Sequence, residues 1–376
     1  MPNGIRKGVA LHPHATIVGL SQPTYYDIEH QFNYFSQTNS DWVRLWADWS
    51  LLQPDPPADP NNPTYDNWAW DKLDAEVQAA NSSMVKPPNT SVEEPLKVIL
   101  TVWTCPLWAS PNTRSQYPSS DGQQYYRPDN TGVSSPYGRL LEQLMVRYHP
   151  LNPNRRGTIW GLEIVNEPNG QMKPQTGMAN AVADMMVTAK QIKLNHGWTN
   201  TGPVLLAPAL VDYREGSFDF DPSNPNTTTI GSFAESLLNR LDAIGFSAGP
   251  WIAWSQHNHL DIEADRLYAD TALKYIGDKL AGHGWGGWRA PGDNGPRIFL
   301  TEGAARLTKI DSHYFSSNGS PSQLRNKQAT LVENAKGRIM GGPYPAMWLY
   351  YGFTSNVDYD AGLRDPYSYP TQGDII

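Results

Sequence analysis

A single cysteine, Cys105, stands in 376 residues. The chain therefore forms no intrachain disulfide and no cysteine-based metal cluster. That fits a reducing compartment and equally a cysteine-poor exported enzyme. No apolar run approaches the roughly 18 residues of a membrane span. The N-terminal MPNGIRKGVALHPHA has no signal-peptide core, but a removed signal would leave the same picture. Secreted and cytoplasmic settings both stay open. There is no basic run: 29 Lys and Arg face 37 Asp and Glu, for a formal charge of −8. Such a surface repels nucleic-acid phosphates and anionic lipid, which argues against nucleic acid and membrane as partners. No G-x-G-x-x-G opens a helical pattern, so the main dinucleotide-binding signal is missing. Nothing in the sequence specifies an oligomeric state.

What is present is a hydrophobic share of 39%, with 14 Trp, 19 Tyr and 9 Phe, enough for a packed core with aromatics to spare. Short β-rich apolar runs recur at 8–12, 41–47, 97–103, 159–166, 203–210, 251–257, 297–302 and 346–352. Amphipathic helical patterns lie between them, for example over 67–80, 137–149, 177–195, 231–244 and 265–281. Strand–helix alternation predicts parallel strands with helical crossovers. Near-continuous apolar strands fit a sheet covered on both faces. Eight of them predict an α/β fold of the (β/α)8 barrel type, one catalytic domain over 1–376.

The chain is longer than the roughly 250 residues usual for this barrel. The surplus falls in Pro-, Asn- and Ser-rich stretches after the second strand (53–66), the third (104–136) and the fifth (212–230). All follow strand C-termini, the face on which barrels build sites. After the eighth strand about two dozen residues carry no helical pattern. The last helix is expected to be absent, shortened or replaced by coil, or the chain stops short of a further domain.

Two strand tips carry carboxylates: Glu167 in IVNEPN and Glu302 in IFLTEGA, 135 positions apart. Three strand–helix units separate them, so they face each other across the barrel mouth. Glycoside hydrolysis needs such a pair, one acid to protonate the leaving oxygen and one carboxylate to attack the anomeric carbon or activate water. A spacing of about 5–5.5 Å implies retention, and about 6.5–9.5 Å implies inversion. Glu163, four residues before Glu167, shares its parity and lies deeper. It reads as a buried structural acid, paired with a basic residue on a strand, while Pro168 ends the strand. Arg44, as a buried charge, needs such a partner, and Glu302 or Glu163 would serve.

The Asn-Glu-Pro at the fourth strand end and the Glu ending the seventh resemble clan A glycoside hydrolases, and the NEPN form is similar to families 5 and 39. The resemblance implies Glu167 as acid/base, Glu302 as nucleophile and Asn166 as a contact to the sugar 2-hydroxyl. It implies Arg44, in WVRLWADW, as the nucleophile's cationic neighbour and Trp348, in AMWLYY, as the floor of the catalytic subsite. It also implies a β-type bond, double displacement, a carbohydrate substrate and no cofactor or metal. The sixth strand departs from the pattern: where the clan often has His-x-Tyr, this chain has His257-Asn258-His259. His257 is expected in the site, and His259 is a substitute hydrogen-bonding partner for the nucleophile.

Trp46, Trp103, Trp108, Tyr125 and Tyr126 lie at or beyond strand ends, where aromatic rings either stack on sugar or pack the loops. His12, at the end of the first strand, would line the sugar site. Two rival readings remain. His12-Pro13-His14 has the H-x-H form of metal-dependent amidohydrolase barrels, but the fifth strand (LLAPAL) supplies no ligand. A carbohydrate-binding barrel that has lost catalysis would not need both carboxylates.

Overall fold

The computed structural model describes residues 6–10, 40–59, 67–86, 91–117, 125–199, 201–214, 223, 227–249, 251–267, 270–285, 298–341 and 345–351. His12, His14 and the segment after residue 351, and with it the expectation about the last helix, lie outside these residues.

Eight parallel strands form a closed barrel. They are β1 (Arg6–Ala10), β2 (Trp42–Asp48), β3 (Lys97–Trp103), β4 (Gly161–Glu163), β5 (Val204–Leu206), β6 (Ile252–His257), β7 (Ile298–Glu302) and β8 (Pro345–Tyr351). Closure comes from β1, which pairs with β8 on one side and β2 on the other. A helix follows each strand from β2 to β7: α1 (Asp71–Ser82), α2 (Pro136–Arg147), α3 (Met178–Asn195), α4 (Ile230–Ala243), α5 (Ala272–Gly282) and α6 (Pro321–Gly341). The (β/α)8 expectation holds. β4 and β5 are shorter than their apolar runs, because both chains leave regular pairing three residues in and continue as isolated bridges.

Local chemistry starts the helices where the barrel needs them. Ser135, Thr229 and Thr271 cap α2, α4 and α5, each accepting a backbone N–H of the first turn. Such caps are worth about 1 kcal/mol each. The side chains of α3 pack Val182, Ala183, Met186 and Ala189 into the helix–sheet layer. Lys193 is buried there too, its ammonium donating to the carbonyls of Thr201 (3.2 Å) and Pro203 (2.6 Å) just before β5.

Inside the barrel the two-residue period of a strand stacks side chains in layers along the axis. On β2 alternate residues climb from Trp42 through Arg44 to Trp46. Trp42 meets Trp160 edge-on (centroids 4.4 Å), and Trp160 reaches Phe299 of β7 at 5.5 Å, so aromatic rings plug the lower barrel. Polar groups fill the layer above: Arg44, Thr101, Glu163, Ser255 and Thr301, all fully buried.

Candidate active site

β4 ends at Glu163, but the chain stays tied to its neighbour for one more step. Asn166 bridges to Ala209, and the Glu167 amide donates to the Ala209 carbonyl at 2.9 Å. Glu167 then turns with φ of 41°, in the left-handed region a non-glycine residue rarely adopts. Such backbone strain costs on the order of 1–3 kcal/mol and persists only where surroundings impose it. The amides of Gly170 and Gln171 both donate to the Glu167 carbonyl, closing a turn that fixes the carboxylate at the mouth. On the far side, the pairing of β6 with β7 slips by one residue, so that His257 aligns with Glu302. This irregularity lets two consecutive residues, Thr301 and Glu302, both reach the polar layer.

Arg44 organises that layer. Its Nε donates to Glu163 at 2.9 Å, one Nη bonds both Glu163 and Asn166 (2.8 Å to the latter), and the other Nη bonds Glu302. Glu163 also accepts from Thr101 (2.7 Å), Thr301 (2.9 Å) and Ser255. A fully buried carboxylate with this many donors is a structural anchor. Arg44 therefore serves both acids named for it by the sequence. Glu163 and Glu302 are thus joined through one guanidinium.

Two histidines complete the cluster. His257 Nδ1 lies 2.7 Å from a Glu167 oxygen, and its Nε2 lies 3.6 Å from Glu302. His259 Nε2 lies 3.3 Å from the other Glu302 oxygen. Burial works to raise the Glu302 pKa, but His257, Arg44 and His259 outweigh it and hold the carboxyl at about 2. Burial works to lower the His257 pKa, and the neighbouring Glu302 and Glu167 raise it on balance. One oxygen of Glu167, one of Glu302 and a ring nitrogen of each histidine all lie within 4.8 Å of one another.

The structure thus brings together Glu167, Glu302, Asn166, Arg44, His257, His259 and, beside them, Trp348. A Cβ at Gly303 would press to 2.7 Å from the Trp348 indole nitrogen and collide with the Asn258 side-chain oxygen, so any larger residue after Glu302 would have to displace these side chains. Trp46 and Trp103 pack edge-on at 5.3 Å, and Trp103 continues to Tyr125 at 5.8 Å. Arg44 lies 4.3 Å over the Trp46 ring, so this aromatic row begins at the polar layer. Trp108 and Tyr126 belong to the loops: Trp108 donates to the Gln53 carbonyl (3.0 Å) and Tyr126 to that of Tyr117 (2.6 Å).

Gln171 went unrecognised in the sequence. Its side-chain oxygen accepts from Trp103 (3.3 Å) and Asn166 (3.4 Å), linking the aromatic row to the tip of β4. A glutamine in a loop carries no periodic signal; only its place one turn after NEP could have marked it.

No family model matches the sequence, and no curated protein matches it. Solved structures do resemble it. A family 39 glycoside hydrolase from Bacteroides cellulosilyticus WH2 aligns over 96% of this chain with a TM-score of 0.54 and 14% identity. The chain spans only 60% of that protein. A family 5, subfamily 18 enzyme from Bifidobacterium longum subsp. longum, in complex with Manβ1-4GlcNAc, aligns over 99% of this chain and 76% of its own (TM-score 0.56, 13% identity). Its counterpart from Streptomyces cattleya, with the same disaccharide, aligns over 96% and 76% (TM-score 0.53, 13% identity). The chain therefore shares the (β/α)8 fold of clan A glycoside hydrolase structures.

Proposed function

We propose that this protein is a retaining glycoside hydrolase that cleaves a β-type O-glycosidic bond in an oligosaccharide, polysaccharide or glycoconjugate. The observation that carries the reading is the approach of Glu167 and Glu302, with one oxygen of each carboxylate within 4.8 Å of the other. An inverting pair stands about 6.5–9.5 Å apart to admit water, whereas a retaining pair stands at about 5–5.5 Å.

In the first step Glu302 attacks the anomeric carbon while Glu167 delivers its proton to the leaving oxygen. In the second, Glu167 takes a proton from water, which displaces Glu302 and releases the sugar with its original configuration. Glu302 suits the attack because Arg44 and the histidines keep it ionised far below neutral pH. Asn166, held by Arg44, would meet the sugar 2-hydroxyl, where hydrogen bonds tighten in the transition state. Trp348 would floor the reacting sugar, and Trp103 and Trp46 would stack on a neighbouring unit. The disaccharide held by the two subfamily 18 neighbours makes β-linked mannosyl and N-acetylglucosaminyl substrates the first to assay.

The test is hydrolysis of a panel of aryl β-glycosides and β-linked glycans, with product configuration followed by proton NMR. Retained configuration at first turnover supports the proposal, and inverted product refutes it. Sugar binding without turnover would point instead to a binding barrel.

A further inference from the structure

We propose that His257, His259 and Glu302 also form a chelating site for a zinc-class divalent cation, with Glu167 orienting His257, and that filling it blocks hydrolysis. The binding stands on the cluster itself, whereas the block rests on the function proposed above.

Geometry is the first support. The Nε2 atoms of both histidines converge on one carboxylate, at 3.6 and 3.3 Å from its two oxygens. His257 Nε2 is buried and makes no hydrogen bond, while the Nδ1 of the same ring lies 2.7 Å from Glu167. A carboxylate on the far nitrogen of a ligating imidazole is the arrangement that fixes its tautomer and raises its basicity. Two imidazoles and a carboxylate with an open fourth position form a three-ligand zinc set. Ligand bonds of about 2.0–2.2 Å require only a small inward movement of side chains already this close.

Charge is the second support. Glu163 and Glu302 both bond one guanidinium, Arg44, in a buried layer. A divalent cation that displaces protons from the imidazoles supplies positive charge in their place beside Glu302. Imidazole and carboxylate donors together favour Zn²⁺, Cu²⁺ or Ni²⁺ over Mg²⁺ and Ca²⁺. A bound cation would hold the lone pairs Glu302 needs for attack, so it would act as an inhibitor.

The experiment is calorimetric titration of ZnCl₂ into the full chain in a non-chelating buffer, with MgCl₂ as control and turnover of an aryl glycoside measured in parallel. We expect one equivalent of Zn²⁺ bound, weakening on the order of tenfold or more in His259→Ala, and turnover lost with zinc and restored by chelator. If that variant fails to fold, Co²⁺ in the native chain should give the visible d–d bands of a four- or five-coordinate site. Absence of saturable binding, or binding unchanged in folded His259→Ala, overturns the site. Turnover that rises with zinc overturns the inhibitory role. Zinc binding without any turnover would refute the hydrolase reading and leave the site standing.

Discussion

The Nδ1 of His257 lies 2.7 Å from a carboxylate oxygen of Glu167, while the same ring reaches Glu302 with its other nitrogen at 3.6 Å. One imidazole thus spans the two acids on which the proposed chemistry depends. Replacing it by Gln removes its charge and lets Glu302 rise from its depressed pKa. His257→Gln is expected to lower kcat roughly 10²-fold, the scale of a lost electrostatic partner in a dry site, with KM changed far less. Steady-state kinetics on an aryl glycoside checks this.

Glu163 and Glu167 are separated by four residues but differ in duty. Glu163 is sealed below the mouth by Arg44, Thr101, Ser255 and Thr301. Glu163→Gln should cost about 1.5–3 kcal/mol of stability, the value of hydrogen bonds to a charged group, while leaving measurable turnover. Glu302→Gln should abolish turnover. Denaturant unfolding and kinetics on both variants separate the structural acid from the working ones.

The strands that build this division were largely legible. β3 coincides with its apolar run over 97–103, and β2 and β6 differ from theirs by one residue, because alternating or continuous apolar runs bounded by turns are strong signals. The acids at the strand tips were legible for the same reason, a polar residue ending an oily strand. What escaped was non-periodic. α6 has a sparse apolar stripe of Leu331, Val332, Ala335 and Ile339 in a polar sequence. The one-turn helix His259–Glu263, which seats His259 on Glu302, is too short to show a period and is tied by Asp212 from 49 residues upstream.

Asp212 and Asp261 make that tie sensitive to pH. The Asp261 amide donates to Asp212 at 2.9 Å, and Asp261 accepts from the Ala272 amide at 2.7 Å. Burial first, then the charge of Asp212, raises the Asp261 pKa to about 8. The unfolded chain releases this proton near pH ~3.9, so the folded state binds more protons between about 4 and 8. Its stabilising contribution is complete below that window and is lost as pH rises through it, with a slope of up to ~1.4 kcal/mol per pH unit. Asp261→Asn should flatten the pH dependence of unfolding across this window, as read by denaturant titrations at several pH values.

Trp103 stands edge-on to Trp46 and donates to Gln171. If this row stacks on a sugar beside the scissile bond, Trp103→Ala should raise KM for a glycan about tenfold, ~1.4 kcal/mol of binding. A monosaccharide aryl glycoside should show little change. Comparing the two substrates checks the assignment.

The covalent step is the centre of the account, and one measurement addresses it directly. The chain, inactivated with a 2-deoxy-2-fluoro aryl glycoside of a sugar it hydrolyses, is digested and its peptides are sequenced by mass spectrometry. The account predicts one sugar per chain, esterified to Glu302. A label on Glu167, on Glu163 or on any other residue would contradict it.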